Sequence, residues 1–128
     1  MTTRCPCLSG LTYDACCGRL HDGSATAQTA EQLMRSRFSA FAVGDRSYLL
    51  ATWHRSTRPA SLELDPGLRW YRLDVLATRE GGPFDTTGVV EFEAFHRSAD
   101  GRGSQHEISR FVREDGLWSY VDGWSPRG

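Results

Sequence analysis

Lysine is missing from this 128-residue chain, and cysteine is absent beyond position 17. No apolar run approaches the roughly 20 residues that a membrane-crossing helix needs. Net charge is also small: fifteen arginines against sixteen acids leave a formal charge of -1. Each absence removes a class of function. The short apolar runs exclude a helical membrane span, and the start Met1-Thr2-Thr3-Arg4-Cys5-Pro6-Cys7 lacks the apolar core of a secretory signal. The expected compartment is therefore the cytoplasm. Near-neutrality removes the broad basic footprint of a nucleic-acid binder. A basic set made entirely of arginine reads as GC-rich codon usage rather than as a guanidinium-specific function.

What is present fits one domain. A chain of this length buries roughly two thirds of its unfolded surface and needs no disulfide staples. The cysteines nevertheless cluster, as Cys5-x-Cys7 and the adjacent pair Cys16-Cys17. In a reducing compartment a disulfide framework is disfavoured, and neighbouring cysteines bridge within their own pair only with strain. Four thiolates around one structural Zn2+ ion per chain account for the spacing better, since two short ligand pairs joined by a small loop can enclose a tetrahedral ion. Pro6 fixes one φ angle, and Gly10 and Gly18 free the backbone to turn. Structural zinc contributes on the order of 10 to 16 kcal/mol in small peptides, so the first twenty residues are expected to be disordered without it. Three alternatives stay open. The thiols could be redox-active or hold a labile ion for storage or sensing, and His21 could replace Cys17 as a ligand, although a lone histidine near a turn is usually solvated.

The segment Cys5-Pro6-Cys7-Leu8-Ser9-Gly10-Leu11-Thr12-Tyr13-Asp14-Ala15-Cys16-Cys17-Gly18 resembles the SEC-C motif, the zinc knuckle that ends the SecA translocation ATPase. Downstream, Thr29 to Phe41, Thr52 to Pro59, Val90-Glu91-Phe92 and Glu107-x-Ser109-x-Phe111 look like the successive motifs of the YchJ family. That resemblance spans nearly the whole chain. It implies a bacterial protein with an N-terminal SEC-C knuckle (residues 1–24) and a cone-shaped nuclear-transport-factor-2-like, or cystatin-like, α+β domain (25–128), in a family of unassigned activity. It also implies Cys5, Cys7, Cys16 and Cys17 as the zinc ligands. The knuckle departs from the motif at Leu8, where glycine is usual, and at Leu11 and Thr12, where lysines are usual. Arg4 and Arg19 are offset by Asp14 and Asp22, so the basic surface with which SecA meets SecB is missing and SecB binding does not carry over.

Beyond a short polar linker from His21 to Gln28, Thr29 and Gln32 make a capping-box pattern, and Leu33, Met34, Arg37, Phe38 and Phe41 recur at helical spacing. Gly44 ends that helix. Asp45 caps a second through Tyr48, Leu49 and Trp53, stopped before Pro59. From Trp70 the period becomes two: Tyr71, Leu73, Val75 and Ala77 form one face, as do Val90, Phe92 and Ala94. Asp115-Gly116 predicts a type I′ hairpin. Its register sets Arg113 opposite Trp118, Phe111 opposite Tyr120, Ser109 opposite Asp122 and Glu107 opposite Trp124. Helices followed by an antiparallel meander read as α+β.

One face of that hairpin mixes acids with aromatics, the composition of a small-molecule site. Glu107, Ser109, Phe111, Trp118, Tyr120 and Asp122 lie on it, and Trp53, His54, Arg58 and Glu91 are expected to converge on the same cavity. Against this stands the plainer expectation that Glu107, Ser109 and Asp122 occupy a solvated face, paired with arginines. No nucleophile elbow, phosphate loop, dinucleotide fingerprint or HExxH helix is present. The leading expectation is a noncatalytic adaptor for a protein partner, monomeric or homodimeric, docking through Leu8, Leu11, Tyr13 and Leu20. The alternative is an isomerase or dehydratase with His54, Glu107 and Asp122 as acid-base groups, which requires His54 beside a carboxylate in an enclosed cavity.

Overall fold

The computed structural model describes residues 3–126. Three helices, α1 (Cys17–His21), α2 (Ala30–Val43) and α3 (Arg46–Ala51), precede four strands, β1 (Arg69–Glu80), β2 (Thr87–Ser98), β3 (Gly101–Glu114) and β4 (Leu117–Trp124). The strands form one antiparallel meander in sequence order. The helix ends follow their local chemistry. Thr29 Oγ1 accepts the Gln32 amide at 3.0 Å, Gly44 closes α2 in the left-handed region at φ 78°, and the Asp45 side chain accepts from the Tyr48 amide. The second helix ends at Ala51, earlier than its apolar spacing suggests. Trp53 then pairs with Tyr120 of β4, with Tyr120 N–H donating to Thr52 O and His54 N–H to Tyr120 O.

α2 lies across the inner face of the sheet. Leu33, Met34 and Phe38 meet Leu73, Val90, Phe92, Ala94, Phe111 and Trp118 in one core. Its first turn approaches so closely that a Cβ on Gly88 would sit 2.6 Å from Gly81 Cα and 2.9 Å from Ala30 Cβ. Leu20 and Ala27 belong to the same core, so the segment read as a polar linker is pinned at both ends, and Leu20 is unavailable for docking.

The hairpin turn has both central residues at positive φ, Asp115 at 53° and Gly116 at 79°, as a type I′ turn requires. Phe111–Tyr120 and Arg113–Trp118 pair as counted, but an irregularity follows. Arg110 pairs with Asp122, Ser109 with Gly123 and Ile108 with Trp124. Val121 is thus an extra residue, a bulge that turns Asp122 to the opposite face from the one its spacing implies. A second bulge between Trp70 and Arg72 sends Tyr71 outward against Phe95 and leaves Trp70 inside against Phe38.

Candidate metal centre and cone cavity

In the knuckle Cys5 N–H donates to Leu11 O at 2.9 Å, and Arg4 pairs with Thr12, which folds the two cysteine pairs toward each other. The four sulfurs of Cys5, Cys7, Cys16 and Cys17 lie within 4.8 Å of one another. A tetrahedral ion with M–S bonds near 2.3 Å has S···S edges of about 3.8 Å. Two of the edges are 3.6 Å (Cys7–Cys16) and 3.9 Å (Cys16–Cys17), so the donor set fits such an ion. The electrostatics agree. Cys7 is held down to about 4, chiefly by the neighbouring Cys17 thiol; the proximity of Cys7 pushes Cys17 up, and burial pushes Cys16 up. Four thiols this close ionise together only around a cation.

Surrounding groups support the sulfurs. Ser9 Oγ donates to Cys16 Sγ at 3.2 Å, and Arg35 Nη1 donates to Cys7 O at 3.1 Å. His21 is engaged elsewhere, and its side chain is only 4% exposed. Nε2 lies 2.8 Å from the Ser36 carbonyl, which can only accept, so Nε2 carries the proton and Nδ1 accepts from the Tyr13 hydroxyl. The imidazole therefore clamps the knuckle to α2 and is not a metal ligand, nor is it the solvated histidine its position near a turn suggests.

Between α2 and the sheet lies a cavity of about 230 Å3. Helix α2 contributes Met34, Arg37, Phe38 and Phe41. Trp53, Trp70 and Tyr120 add aromatic walls, Phe92 and Ala94 a floor, and Gln105, Glu107 and Ser109 a polar strip. Of the residues expected to converge, Trp53, Glu107, Ser109 and Tyr120 line the cavity, while Phe111 and Trp118 pack in the core beside it. The others lie elsewhere. His54 hydrogen-bonds to Ser56 and Glu114. Glu91 points outward, bonded to His106 at 2.6 Å, because its neighbours Val90 and Phe92 point in. Asp122 pairs with Arg110, and Arg58 is exposed, donating to Trp53 O. The His54, Glu107 and Asp122 trio is therefore not assembled.

The residue that spacing alone passed over is Arg37. It is 3% exposed, with Nη1 donating to Leu49 O at 2.8 Å and Thr52 Oγ1 at 2.7 Å. Its guanidinium carbon lies 4.6 Å from the Tyr120 ring centroid and 5.3 Å from that of Trp53. Burial lowers its pKa to about 10, which leaves it charged at neutral pH. Burial, then Glu107, pushes Tyr120 up to about 12. An arginine inside an otherwise apolar helical stripe was the available signal.

Fold and thiol cluster together define a SEC-C knuckle joined to a nuclear-transport-factor-2-like domain. The SEC-C motif profile matches residues 1–19, and the profile described as "YchJ, middle NTF2-like domain" matches residues 29–123. The chain belongs to the YchJ family, whose curated members are called UPF0225 proteins. It is 57% identical to one from Streptomyces coelicolor, covering 95% of both chains, and 54% identical to one from Corynebacterium glutamicum, covering 96% of this chain and 98% of that protein. Among solved structures it is similar to a SEC-C motif-containing protein of Rhodopseudomonas palustris, with TM-score 0.82, 33% identity, and 99% and 100% of the two chains covered. A SEC-C motif-containing protein of Psychrobacter arcticus matches with TM-score 0.76 and 28% identity, over 97% of this chain and 83% of that one. Among the described residues no helix is long and apolar enough to cross a membrane.

Proposed function

We propose that this chain is a zinc-braced binding protein rather than a catalyst. One Zn2+ ion per chain closes the knuckle over residues 1–24, and the domain over residues 25–128 takes a small organic molecule into its cone. The cytoplasm is the fitting compartment, because a reducing environment keeps all four thiols available. The carrying observation is the cavity itself: mostly aromatic and aliphatic walls, with a few fixed polar groups on two sides, the composition ligand sites favour. The zinc part is tested by native mass spectrometry, which should find one zinc per chain in the intact protein and none in Cys5→Ser. The binding part is tested by thermal melting across a metabolite panel. A compound that raises Tm in the intact protein and loses that effect when Ala94→Trp fills the cavity supports it; a panel without any such compound counts against it.

A second reading, the adaptor for a protein partner, is favoured by one local observation. Leu8 stands at φ 66° and is 56% exposed, and Leu11 beside it is 51% exposed. A branched apolar side chain held in the left-handed region at the surface is strain with no folding benefit, and contact with a partner would give it a purpose. Leu8→Ser with Leu11→Ser should then lose proteins that the intact chain captures. Identical captured sets would remove this reading.

A further inference from the structure

The charges in the cavity are arranged unlike an ordinary buried ion pair. Arg37 and Glu107 line the same space, yet no carboxylate oxygen lies within 4.0 Å of the Arg37 nitrogens among the described residues. Among the described residues only Nη1 of the guanidinium has a protein acceptor, which leaves Nε and Nη2 free to meet a molecule in the cavity. A buried cation without a counter-charge is costly, and the neighbouring aromatic faces of Tyr120 and Trp53 compensate only in part.

Other groups repeat the pattern. The Trp53 indole N–H is buried without an acceptor among the described residues. On the sheet side the half-buried Glu107 accepts from Ser109 Oγ at 2.6 Å through Oε2, while Oε1 has no protein donor among the described residues. Gly123 makes room for this carboxylate: a Cβ there would fall 2.9 Å from both Glu107 Cδ and Ser109 Oγ. The cavity thus holds a fixed positive pole on α2 and a fixed negative pole on β3, apart from each other, with Met34, Phe38 and Phe92 as apolar surface.

We infer that the cone receives a small zwitterion with an apolar body, of the α-amino-acid class, its carboxylate at Arg37 and its ammonium group at Glu107. This rests on the reading that the cavity binds a small molecule, and it specifies the chemistry. A simple anion satisfies one pole and leaves Glu107 facing it, and a simple cation does the reverse. A neutral apolar molecule leaves both poles without partners. Only a ligand bearing both charges completes both sides, and each charged hydrogen bond adds affinity.

The test uses L-phenylalanine and three relatives, each lacking part of its polar head: 3-phenylpropanoate, 2-phenylethylamine and 3-phenylpropanol. Each is titrated into the full-length zinc-loaded protein and followed by 15N–1H NMR at the Trp53 indole and the Arg37 Nε–H. The expected result is phenylalanine binding tighter than every relative by about tenfold or more, with both reporter signals shifting. Glu107→Gln keeps the acceptor for Ser109, so the variant should fold. It should weaken phenylalanine by about tenfold and leave 3-phenylpropanoate unchanged or improved. If 3-phenylpropanoate, 2-phenylethylamine or the alcohol binds as well as phenylalanine, the two-pole inference is wrong while the cavity remains a ligand site. If none of the four binds at millimolar concentration, the two-pole inference is wrong, and a compound that still raises Tm in the metabolite panel would show that the cavity binds other chemistry.

Discussion

The Cys5 sulfur lies 3.5 Å from the Ser39 hydroxyl in the second half of α2. Ser39 is fully buried, so the thiol cluster touches the buried face of the domain's main helix. Arg35, on the same helix, donates to Cys7 O, and Ser36 O accepts from His21 Nε2–H. The intervening Arg37 and Phe38 line the cavity. Knuckle and cone therefore share a helix, and the order of one supports the other.

Metal removal should consequently be felt far from the thiols. Chelation is expected to lower Tm for the whole chain in a single transition and to raise amide exchange in α2, because the binding free energy of structural zinc is on the order of 10 kcal/mol and part of it fixes this helix. A loss of exchange protection limited to residues 3–21, with α2 as protected as before, would mean that the shared helix transmits nothing.

Leu8 offers a prediction of the opposite sign. At φ 66° it adopts a conformation that costs an L-residue roughly 1 to 2 kcal/mol, and its side chain is mostly solvent-exposed. Leu8→Gly removes that cost but adds freedom to the unfolded chain, offsetting about 0.5 to 1 kcal/mol. The expected net is a gain of up to about 1.5 kcal/mol, read from denaturant midpoints of the zinc-loaded proteins. A loss of stability would show that the Leu8 side chain contributes packing to the knuckle.

Much of this architecture was written in local chemistry. Thr29 with Gln32, Gly44, Asp45 and the Asp115-Gly116 turn each act through groups a few residues apart, and each does what its residue type dictates. The cysteine spacing likewise foretold the thiol cluster. The bulges at Tyr71 and Val121 were not legible, because an extra residue leaves no mark on composition and only shifts the count. That single shift moved Asp122 from the cavity to Arg110. Pairing across the sheet hid the rest: nothing near His54 in the sequence indicates that Glu114, sixty positions on, will hold its ring outside the cone.

The contact between α2 and the β1–β2 turn should be the least tolerant of added bulk. Gly88 faces Gly81 and Ala30 across a gap too narrow for a methyl group, and Ala30 N–H donates to Gly81 O at 2.9 Å there. Gly88→Ala must push the start of α2 off the sheet. A destabilisation of about 1 to 3 kcal/mol is expected, measured by chemical denaturation. Gly101→Ala makes a useful contrast: its Cβ would meet nothing within 4 Å, but its φ of 120° strains any side chain, so a loss there would come from backbone conformation alone. An unchanged midpoint for Gly88→Ala would mean that the helix shifts without cost.

Alkaline titration reads the packing of the cone directly. Burial, and then Glu107, raises Tyr120 to about 12, and burial also leads the causes that raise Tyr48 and Tyr13. An unfolded tyrosine ionises near 10. Because the folded value lies higher, the neutral phenol is favoured by the fold: the contribution of Tyr120 to stability is complete below about pH 10 and is lost as pH rises toward 12. Phenolate absorbance should therefore show a late component, steepening where the protein unfolds, and Tyr120→Phe should remove part of it. Its presence in full in that variant, or a phenol at position 120 that ionises near 10 in the folded protein, would mean that Tyr120 faces open water and that the cavity wall it forms is not closed.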